Sequence, residues 1–342
     1  MIGRFIAIAV AILALIAVPY AIDESYYVNI ASQILLYAIF ALGLNILVGY
    51  AGLVSLGHAG LFGVASYAVA SLLASGHGHA VAIASALVVA LTFTAGFAAL
   101  SLRATGIGFI MITLALGEIL WGLAYRWISL TNGDNGINVA SRPKPFGIAL
   151  TSASAFYEMT LIIFLLAVAA CAIFVHSPFG AALAGTRDQP RRMNALGYHV
   201  WMIRFGAFMF SGLLTAIAGI LFVYYNLFIS PQTLALAASA EALLMVISGG
   251  AGTLMGPVVG ATLVVIVKNV VSGVRLDGTG VAVFLVNQLF QHWNFLLGAI
   301  FVLIVVFMPE GLVPGIVRLS RAAWRGTARA RPVPARVAGS KP

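Results

Sequence analysis

The sequence predicts an all-α integral membrane protein of about ten transmembrane helices, because its composition and its apolar runs both indicate that class. Hydrophobic residues make up 62% of the 342 residues, charged residues make up 8%, and the mean hydropathy is +1.07. An average soluble protein has about 25% charged residues, a far larger share. Spans of about 20 residues each would occupy most of the chain, which leaves little sequence for a soluble domain.

The candidate spans are apolar runs separated by polar or glycine-rich breaks. They lie at about 5–21, 30–49, 53–74, 80–100, 105–127, 158–175, 204–225, 232–249, 253–272 and 293–309. The first run has the charge and length of a signal peptide, but the chain continues directly into further spans, which favours an uncleaved first helix. The run at 232–249 is open to two interpretations, a span or a re-entrant segment.

Arginine and lysine residues predict the orientation, because cytoplasmic loops of membrane proteins are enriched in both. Arg4, Arg103, the loop at 176–204 and the C-terminal tail fall on one side if ten spans are counted. We therefore predict that this side, with both termini, is cytoplasmic, and that the loop at 128–157 faces outside. Three basic residues break the rule: Arg126, Arg142 and Lys144.

Residues 318–342 form a basic tail behind the predicted transmembrane domain, residues 1–317. The tail contains seven basic residues and no acidic residue, and we expect it to be disordered in the cytoplasm beside anionic membrane lipid. No platform of aromatic and basic residues accompanies it, so no nucleic-acid partner is predicted. The single cysteine, Cys171, lies in an apolar run and is interpreted as a packing residue.

A glycine-rich stretch at 42–63 is apolar enough to lie in a bilayer, yet it contains six glycines. Glycine lets helices approach closely in lipid, and it permits a broken helix where the break is buried in protein or lines a cavity. The stretch therefore predicts a packed, broken segment beside the working surface. A second glycine-rich segment, Gly249–Gly260, favours a plan of two inverted five-helix halves.

The loop at 176–204 contains signals for two short helices. Ser177 followed by Pro178 is a good N-cap with a first-turn proline, so a helix is predicted over about 178–186. Asp188 is predicted to cap a second helix that begins near Pro190, and Gly197 to end it. The loop is interpreted as a platform for another protein, and a simple connector between spans is the alternative.

Several motifs together resemble those of permease subunits of branched-chain amino acid ABC importers, of the LivM type. The segments that carry the resemblance cover about residues 45–260: Asn45–Gly60, Arg103–Ala115, Ser177–Gly180, Arg187–Asp188, Ala195–Gly197 and Gly252–Pro257. The combination is specific, whereas any one segment would be weak.

The resemblance implies partners that the composition does not reveal. It implies a second permease of the LivH type, two cytoplasmic ATPase subunits and a periplasmic substrate-binding protein, all assembled at the bacterial inner membrane. The family's coupling segment, which receives motion from the ATPases, matches these residues: Ser177, Pro178, Phe179, Gly180, Arg187, Asp188, Ala195, Leu196 and Gly197. The chain has no Gly-x-x-x-x-Gly-Lys-Ser/Thr phosphate loop, so it is expected to be no enzyme, to bind no cofactor, and to leave ATP to its partners.

Polar and glycine residues inside the apolar runs are the candidates for the translocation path. They are Asn45, Gly49, Gly52, Ser55, Gly57, His58, Thr113, Glu118 and Glu241. An acid within a span is costly and normally faces a partner or a cavity, so Glu118 is expected either to line the path or to pair across a subunit interface. Glu241 can also be interfacial, and Thr113 can also bond its own helix backbone. No metal site is predicted.

Three functions remain open. The leading one is a permease subunit that imports branched-chain or other neutral amino acids. The same architecture importing urea or short amides is a near variant. An ion-coupled secondary transporter or channel, with Glu118 and Glu241 as coupling sites, belongs to another class.

Overall fold

The computed structural model describes residues 13–20, 24–140, 142–143, 150, 152–273, 293–308, 310–315 and 318. Its helices are α1 (residues 13–20), α2 (Ser25–Asn45), α3 (His58–Ala74), α4 (His79–Ser101), α5 (Ile107–Arg126), α6 (Ile128–Thr131), α7 (Ala153–His176), α8 (Pro178–Asp188), α9 (Pro190–Ala195), α10 (Val200–Asn226), α11 (Leu236–Gly249), α12 (Gly256–Gly273) and α13 (Trp293–Phe307). A π-helical segment, Ile46–Ala51, follows α2, and short 3₁₀ turns lie at Gly133–Asn135 and Pro231–Leu234. Strand β1 (Ile137–Asn138) pairs antiparallel with β2 (Phe228–Ile229).

The helices confirm an all-α membrane protein. Five are long and apolar enough to cross a membrane: Ser25–Ala51, α4, α5, α7 and α10. Three apolar helices are shorter, namely α3, α11 and the part of α12 at Gly256–Asn269. The count of ten spans stays a prediction, because the first predicted span lies partly outside the described residues. All of the predicted tail except residue 318 also lies outside them.

Helix α2 lies at the centre of the bundle. Of its most apolar window, 78% of the residues are buried, against 28% for each of α4, α5 and α7. It packs against α7, α10 and α12, while α3 packs between α4 and α10. Cys171 of α7 is fully buried and free, which confirms its interpretation as a packing residue. The central helix therefore continues directly into the glycine-rich stretch.

Contacts between helix ends agree with an alternating up-and-down order of the spans. On the predicted outer side, His79 Nδ1 lies 3.2 Å from the hydroxyl of Tyr224, and β1 pairs with β2. On the opposite side, the side-chain amide of Asn45 donates to the carbonyl oxygen of Thr253 at 2.9 Å. Each contact joins ends that the sequence predicts to lie on one face.

Arg142, which breaks the orientation rule, has a structural role at the end of α10. Its Nε donates to the carbonyl oxygen of Tyr224 at 2.9 Å, and its Nη2 to that of Tyr225 at 3.2 Å. Its Nη1 donates to the carbonyl oxygen of Leu150 at 3.2 Å, and its guanidinium lies 4.8 Å from the ring centre of Phe156. The last carbonyls of a helix lack partners within the helix, so Arg142 satisfies the C-terminus of α10 and joins it to the outer loop.

We expect Arg142→Met to lower thermal stability by about 1–3 kcal/mol, because carbonyl oxygens of α10 lose their donors. Unfolding in detergent is followed with a thiol-reactive fluorogenic dye, which reports exposure of the buried Cys171. The matched control is Arg103→Met, an exposed arginine at the other end of the bundle. Equal melting temperatures for the two variants would contradict this role of Arg142.

Candidate functional site

The glycine-rich stretch is a broken helix, as the sequence predicts. The regular α-helix α2 ends at Asn45. A π-helical segment, Ile46–Ala51, follows it directly, and we call this segment the π-turn. Gly52 then has a φ of +70°, a left-handed conformation that glycine adopts without steric cost. Residues 52–57 are not helical, and α3 begins at His58. Such breaks are tolerated at membrane depth only where protein or a cavity surrounds them.

Glycines in the break allow backbones from other elements to approach. A Cβ atom at Gly49 would overlap the backbone nitrogen of Gly252, in the segment between α11 and α12. A Cβ atom at Gly57 would overlap the carbonyl oxygen of Thr113 on α5 and lie 2.9 Å from the ring of Phe97. The two glycine-rich segments predicted from the sequence therefore meet backbone to backbone.

Asn45 joins those two segments through both atoms of its amide group. Its Nδ2 donates to the carbonyl oxygen of Thr253 at 2.9 Å, and its Oδ1 accepts from the backbone nitrogen of Gly252 at 2.9 Å. The side chain is fully buried. An amide that both donates to and accepts from one dipeptide fixes the register of that dipeptide against α2.

His58 lies at the centre of a second, fully buried hydrogen-bond network. Ser211 Oγ donates to the carbonyl oxygen of Gly43 at 2.6 Å, so its single proton is used and it accepts from His58 Nε2 at 2.9 Å. His58 Nδ1 therefore accepts from Ser55 Oγ at 2.8 Å, and Ser55 Oγ accepts from the backbone nitrogen of Gly57. These hydrogen bonds use every available proton when the imidazole ring of His58 is neutral. A neutral ring is compatible with full burial, because an unpaired charge would be costly there.

Two further backbone donors at the break find acceptors on α5 and α11. Thr113 Oγ1 accepts from the backbone nitrogen of Leu56 at 3.3 Å and donates to the carbonyl oxygen of Ile110 at 2.9 Å. Ser239 Oγ accepts from the backbone nitrogen of Ala59 at 3.0 Å. The first amides of a helix lack partners within the helix, so α11 caps the buried start of α3. The predicted bond of Thr113 to its own helix is confirmed.

The loop at 176–204 contains the two predicted helices, α8 and α9. Ser177 Oγ accepts from the backbone nitrogen of Gly180 at 3.2 Å, which confirms the N-cap. Gly197 has a φ of +88°, and the amides of residues 197 and 198 return to the carbonyls of Asn194 and Met193. This pattern is a Schellman motif and confirms the predicted end of α9.

The prediction that Asp188 caps α9 is wrong. Asp188 is the last residue of α8, which extends two residues beyond the predicted end. The N-cap of α9 is Gln189, without a side-chain hydrogen bond. The carboxylate of Asp188 instead accepts from Arg187 Nε at 3.1 Å. Pro190 begins α9 without a side-chain cap, because it has no backbone N–H group that would need an acceptor in the first turn.

Arg187 connects α8 to the broken helix. Its Nη1 donates to the carbonyl oxygen of Gly49 in the π-turn at 2.6 Å. A Cβ atom at Gly52 would lie 2.6 Å from the Cγ of Arg187, so glycine at that position leaves room for the side chain. The first turn of α8 is also packed against α7, because the ring centroids of Phe179 and Phe174 lie 5.1 Å apart. Movement of α8 would therefore act directly on the π-turn.

The two candidate carboxylates lie apart from the break. Glu241 of α11 forms an ion pair with Lys268 of α12 at 3.2 Å, and both side chains are mostly buried. Glu118 of α5 has neither an ion pair nor a side-chain hydrogen bond with the residues that the structure describes. In the same part of the chain, no cluster of three histidine, cysteine or acidic residues is arranged to hold a metal ion.

The other path candidates form one connected group around the break, and sequence reasoning missed two members of it. Asn45, Gly49 and Gly52 contact the second glycine segment and α8, while Ser55, Gly57, His58 and Thr113 join the break to α5 and α10. The missed residues are Ser211 and Ser239. A polar residue within an apolar span was their only signal, and many such serines bond their own helix.

Gly57→Leu is expected to cost about 1–3 kcal/mol of stability, because the added atoms overlap backbone that has no room to move. The melting temperature of the purified chain, followed by the reaction of Cys171 with a fluorogenic dye, measures the effect. Gly96→Leu is the matched control, because a Cβ atom at Gly96 meets no heavy atom within 4 Å. If both variants melted at the wild-type temperature, the close approach at Gly57 would not matter for the fold.

Comparison with known proteins identifies the family. A family model described as "Branched-chain amino acid transport system / permease component" matches residues 26–308. The high-affinity branched-chain amino acid transport system permease protein LivM of Escherichia coli is 26% identical over 337 residues, which cover 91% of this chain and 75% of LivM. LivM of Salmonella typhimurium is 26% identical over 84% of this chain and 70% of its own length.

A third relative belongs to a transport system that is named for another cargo. The autoinducer 2 import system permease protein LsrC of Yersinia enterocolitica is 30% identical over 281 residues, which cover 78% of this chain and 75% of LsrC. No solved structure matches the chain. The family match covers most of the chain and agrees with the motifs around the break and in the 176–204 loop. The chain therefore belongs to the family of branched-chain amino acid ABC transporter permeases, LivM type.

Proposed function

We propose that this chain is the permease subunit of an ATP-driven importer of branched-chain or other neutral amino acids. It forms the translocation path in the bacterial inner membrane together with a second, LivH-type permease. Two cytoplasmic ATPase subunits hydrolyse the ATP, a periplasmic binding protein delivers the cargo, and this chain binds no cofactor. Membership of the permease family and the LivM relatives support the proposal.

The observation that carries the proposal is the bond from Arg187 of α8 to the carbonyl oxygen of Gly49. A transporter driven by separate ATPases needs a mechanical connection between its cytoplasmic surface and its membrane core. The arginine supplies a charge-assisted hydrogen bond of 2.6 Å to Gly49 in the last turn of the π-turn, where carbonyl oxygens lack partners within the helix. The same turn reaches the segment between α11 and α12 through Asn45.

The surface beyond α8 supports docking of a soluble partner. No residue of α9 is buried, and the neighbouring Leu196 and Tyr198 are 65% and 49% exposed. Arg191 and Arg192 are exposed on the same helix. Exposed apolar side chains among basic ones, on a loop predicted to be cytoplasmic, are typical of a protein contact surface.

The path residues act, in this proposal, as the framework of a gate. The networks of Asn45 and His58 are closed within the chain and fully buried, so they position backbone and do not bind cargo. The cargo passes between the two permeases and is selected mainly by the binding protein. N- and C-termini on the cytoplasmic side follow from the arginine distribution.

The cargo is proposed from the names of relatives at 26% identity, and the relative at 30% identity favours a second candidate. That candidate is import of a small molecule like the cargo of the autoinducer 2 system. Urea and short amides remain the near variant proposed from the motifs. An ion-coupled secondary transporter, in which Glu118 and Glu241 would bind the coupling ion, is less favoured. The carboxylate of Glu241 is already paired with Lys268.

A reconstituted system tests the function. The chain, a LivH-type permease, both ATPases and the binding protein are placed in vesicles, and uptake of radiolabelled leucine is compared with that of urea and of autoinducer 2. We expect leucine uptake that requires ATP and the ATPases. Uptake that continues without the ATPases would refute an ATP-driven importer, and uptake of another cargo alone would change the substrate class.

Arg187→Ala should uncouple the transporter. We expect leucine uptake to fall about tenfold, which corresponds to loss of about 1.4 kcal/mol from one charge-assisted bond. ATP hydrolysis by the complex should continue, because Arg187 reaches towards the membrane core and away from the exposed α9. The control is Arg103→Ala, an exposed arginine of another loop on the same side. Uptake and hydrolysis that fall together would instead indicate a defect in assembly.

A further inference from the structure

A small cavity near the predicted outer side has the chemistry of a site for an ammonium group. Glu241 of α11 lines it together with four aromatic residues, Tyr37, Phe40, Phe62 and Phe222. The rings adjoin one another, because the centroids of Phe40 and Phe62 lie 4.8 Å apart and those of Phe62 and Phe222 lie 5.3 Å apart. Aromatic faces attract cations, and a carboxylate supplies the opposite charge, so the cavity combines two groups that bind an alkylammonium ion.

The ion pair at this cavity shows that the Glu241 carboxylate accepts such a group. Lys268 Nζ of α12 donates to both carboxylate oxygens, at 3.2 and 3.4 Å. The side chains of Glu241 and Lys268 are 16% and 31% exposed. The next residue, Asn269, donates to Gln33 Oε1 of α2 at 3.0 Å, which joins this part of α12 to the central helix. Two mostly buried charges therefore compensate each other, and separating them without substitute partners would be costly.

The pair lies on the side from which an imported cargo would arrive. Glu241 is five residues after the start of α11 and Lys268 is five before the end of α12, hence about 8 Å from each end. Both ends lie on the predicted outer side, where the 3₁₀ turn before α11 contributes Thr233 to the cavity. The other end of α11 is Gly249, where the second glycine-rich segment begins. A cargo that enters from outside therefore meets the ion pair before it meets the break.

The cavity has the size of a polar head group. Its volume is about 40 Å³, and a single water needs about 10–15 Å³, so the cavity holds about three water-sized groups. An ammonium and a carboxylate group on one carbon atom form such a head group, whereas the side chain of leucine would extend beyond it. The cavity therefore suits the part that all α-amino acids share.

A second cavity, of about 420 Å³ between α3, α4 and α5, lacks this chemistry. No charged side chain is among the described residues that line it, which include Tyr67, Leu120 and Trp127. A zwitterion in that cavity would lose the hydration of both charges without gaining partners for them. The cavity beside Glu241 and Lys268 is therefore the better site for an amino acid, although it is smaller.

We infer that Glu241 and Lys268 bind the ammonium and carboxylate groups of an α-amino acid during its passage through the transporter. The ammonium group of the cargo replaces that of Lys268 on Glu241, beside the aromatic rings, and the released lysine binds the carboxylate of the cargo. Each buried charge keeps an opposite partner through this exchange. The inference rests on the proposed function, and it adds that the cargo is a zwitterion, because an uncharged molecule such as urea cannot separate the pair.

Competition binding tests the recognition of both charges in the wild-type complex. The assembled complex in nanodiscs, without the binding protein, is titrated with radiolabelled leucine. Two analogues compete: isoamylamine, which lacks the carboxylate, and isocaproate, which lacks the ammonium group. We expect saturable binding of leucine and about tenfold weaker competition by each analogue, because each loses one charge-assisted contact. No saturable binding, or equal competition by leucine and both analogues, overturns the inference.

Removal of both charges together separates a role in transport from a role in the fold. Glu241→Gln with Lys268→Met leaves no unpaired charge, so the complex should assemble, but leucine uptake in the reconstituted system should fall about tenfold. The matched control is Glu310→Gln with Arg318→Met, which removes an exposed ion pair of 3.8 Å and should leave uptake unchanged. Wild-type uptake by the variant without the Glu241–Lys268 pair overturns the inference.

Exchange of the two residues covers the case in which the neutral variant does not assemble. Glu241→Lys with Lys268→Glu retains an ion pair, so the complex should assemble. The exchange also places a lysine beside the aromatic rings, where it repels the ammonium group of the cargo. Leucine uptake should again fall about tenfold. Wild-type uptake by the exchanged variant would show that the pair serves the fold alone, which overturns the inference.

The wild-type complex separates failure of this inference from failure of the proposed function. A wild-type complex that takes up leucine without the ATPases, or that takes up only uncharged cargo, overturns both. A wild-type complex with ATP-dependent leucine uptake, together with double variants of Glu241 and Lys268 that assemble and transport equally well, overturns only the role of this ion pair.

Discussion

The structure depends on one constraint: a helix that breaks inside a membrane must find partners for the backbone groups that the break releases. The break after α2 is the place where this constraint acts. Side chains from other elements supply three of these partners, namely Arg187 at the carbonyl of Gly49, Thr113 at the amide of Leu56, and Ser239 at the amide of Ala59. Each of them comes from a different helix, so the break ties together α8, α5 and α11.

Close packing at glycine is the second consequence of the same constraint. Donors and acceptors on short side chains such as serine and threonine reach a backbone only if the helices approach to van der Waals contact. Gly49 against Gly252 and Gly57 against Thr113 permit that approach. The glycines allow the helices to approach, and the hydrogen bonds then satisfy the buried backbone groups. Both are needed to stabilise the break where no water can replace the missing partners.

The sequence predicts local features of this arrangement better than its long-range contacts. The break, the N-cap at Ser177 and the end of α9 at Gly197 follow from residue types within a few positions, so they were predictable. The bonds of His58 to Ser211 and of Asn45 to Gly252 join residues 153 and 207 positions apart, and nothing local specifies them. Asp188 failed as a predicted cap because α8 extends through it, which leaves Gln189 at the N-cap position of α9.

The polar residues at and near the break fall into two physical classes, neutral and charged, and the difference between them suggests how the chain works. The groups around Asn45 and His58 are neutral, buried and matched donor to acceptor within the chain, so they preserve one geometry of the break. Arg187 is a charged residue on a half-exposed helix end, attached to that geometry by a single bond, so a force on α8 can reach the break without rearranging the networks. Glu118 is an acidic residue near the middle of α5, and no ion pair or side-chain hydrogen bond joins it to the residues that the structure describes. The geometry of the break is therefore held by neutral contacts within the chain, whereas its connection to the 176–204 loop runs through the charged side chain of Arg187.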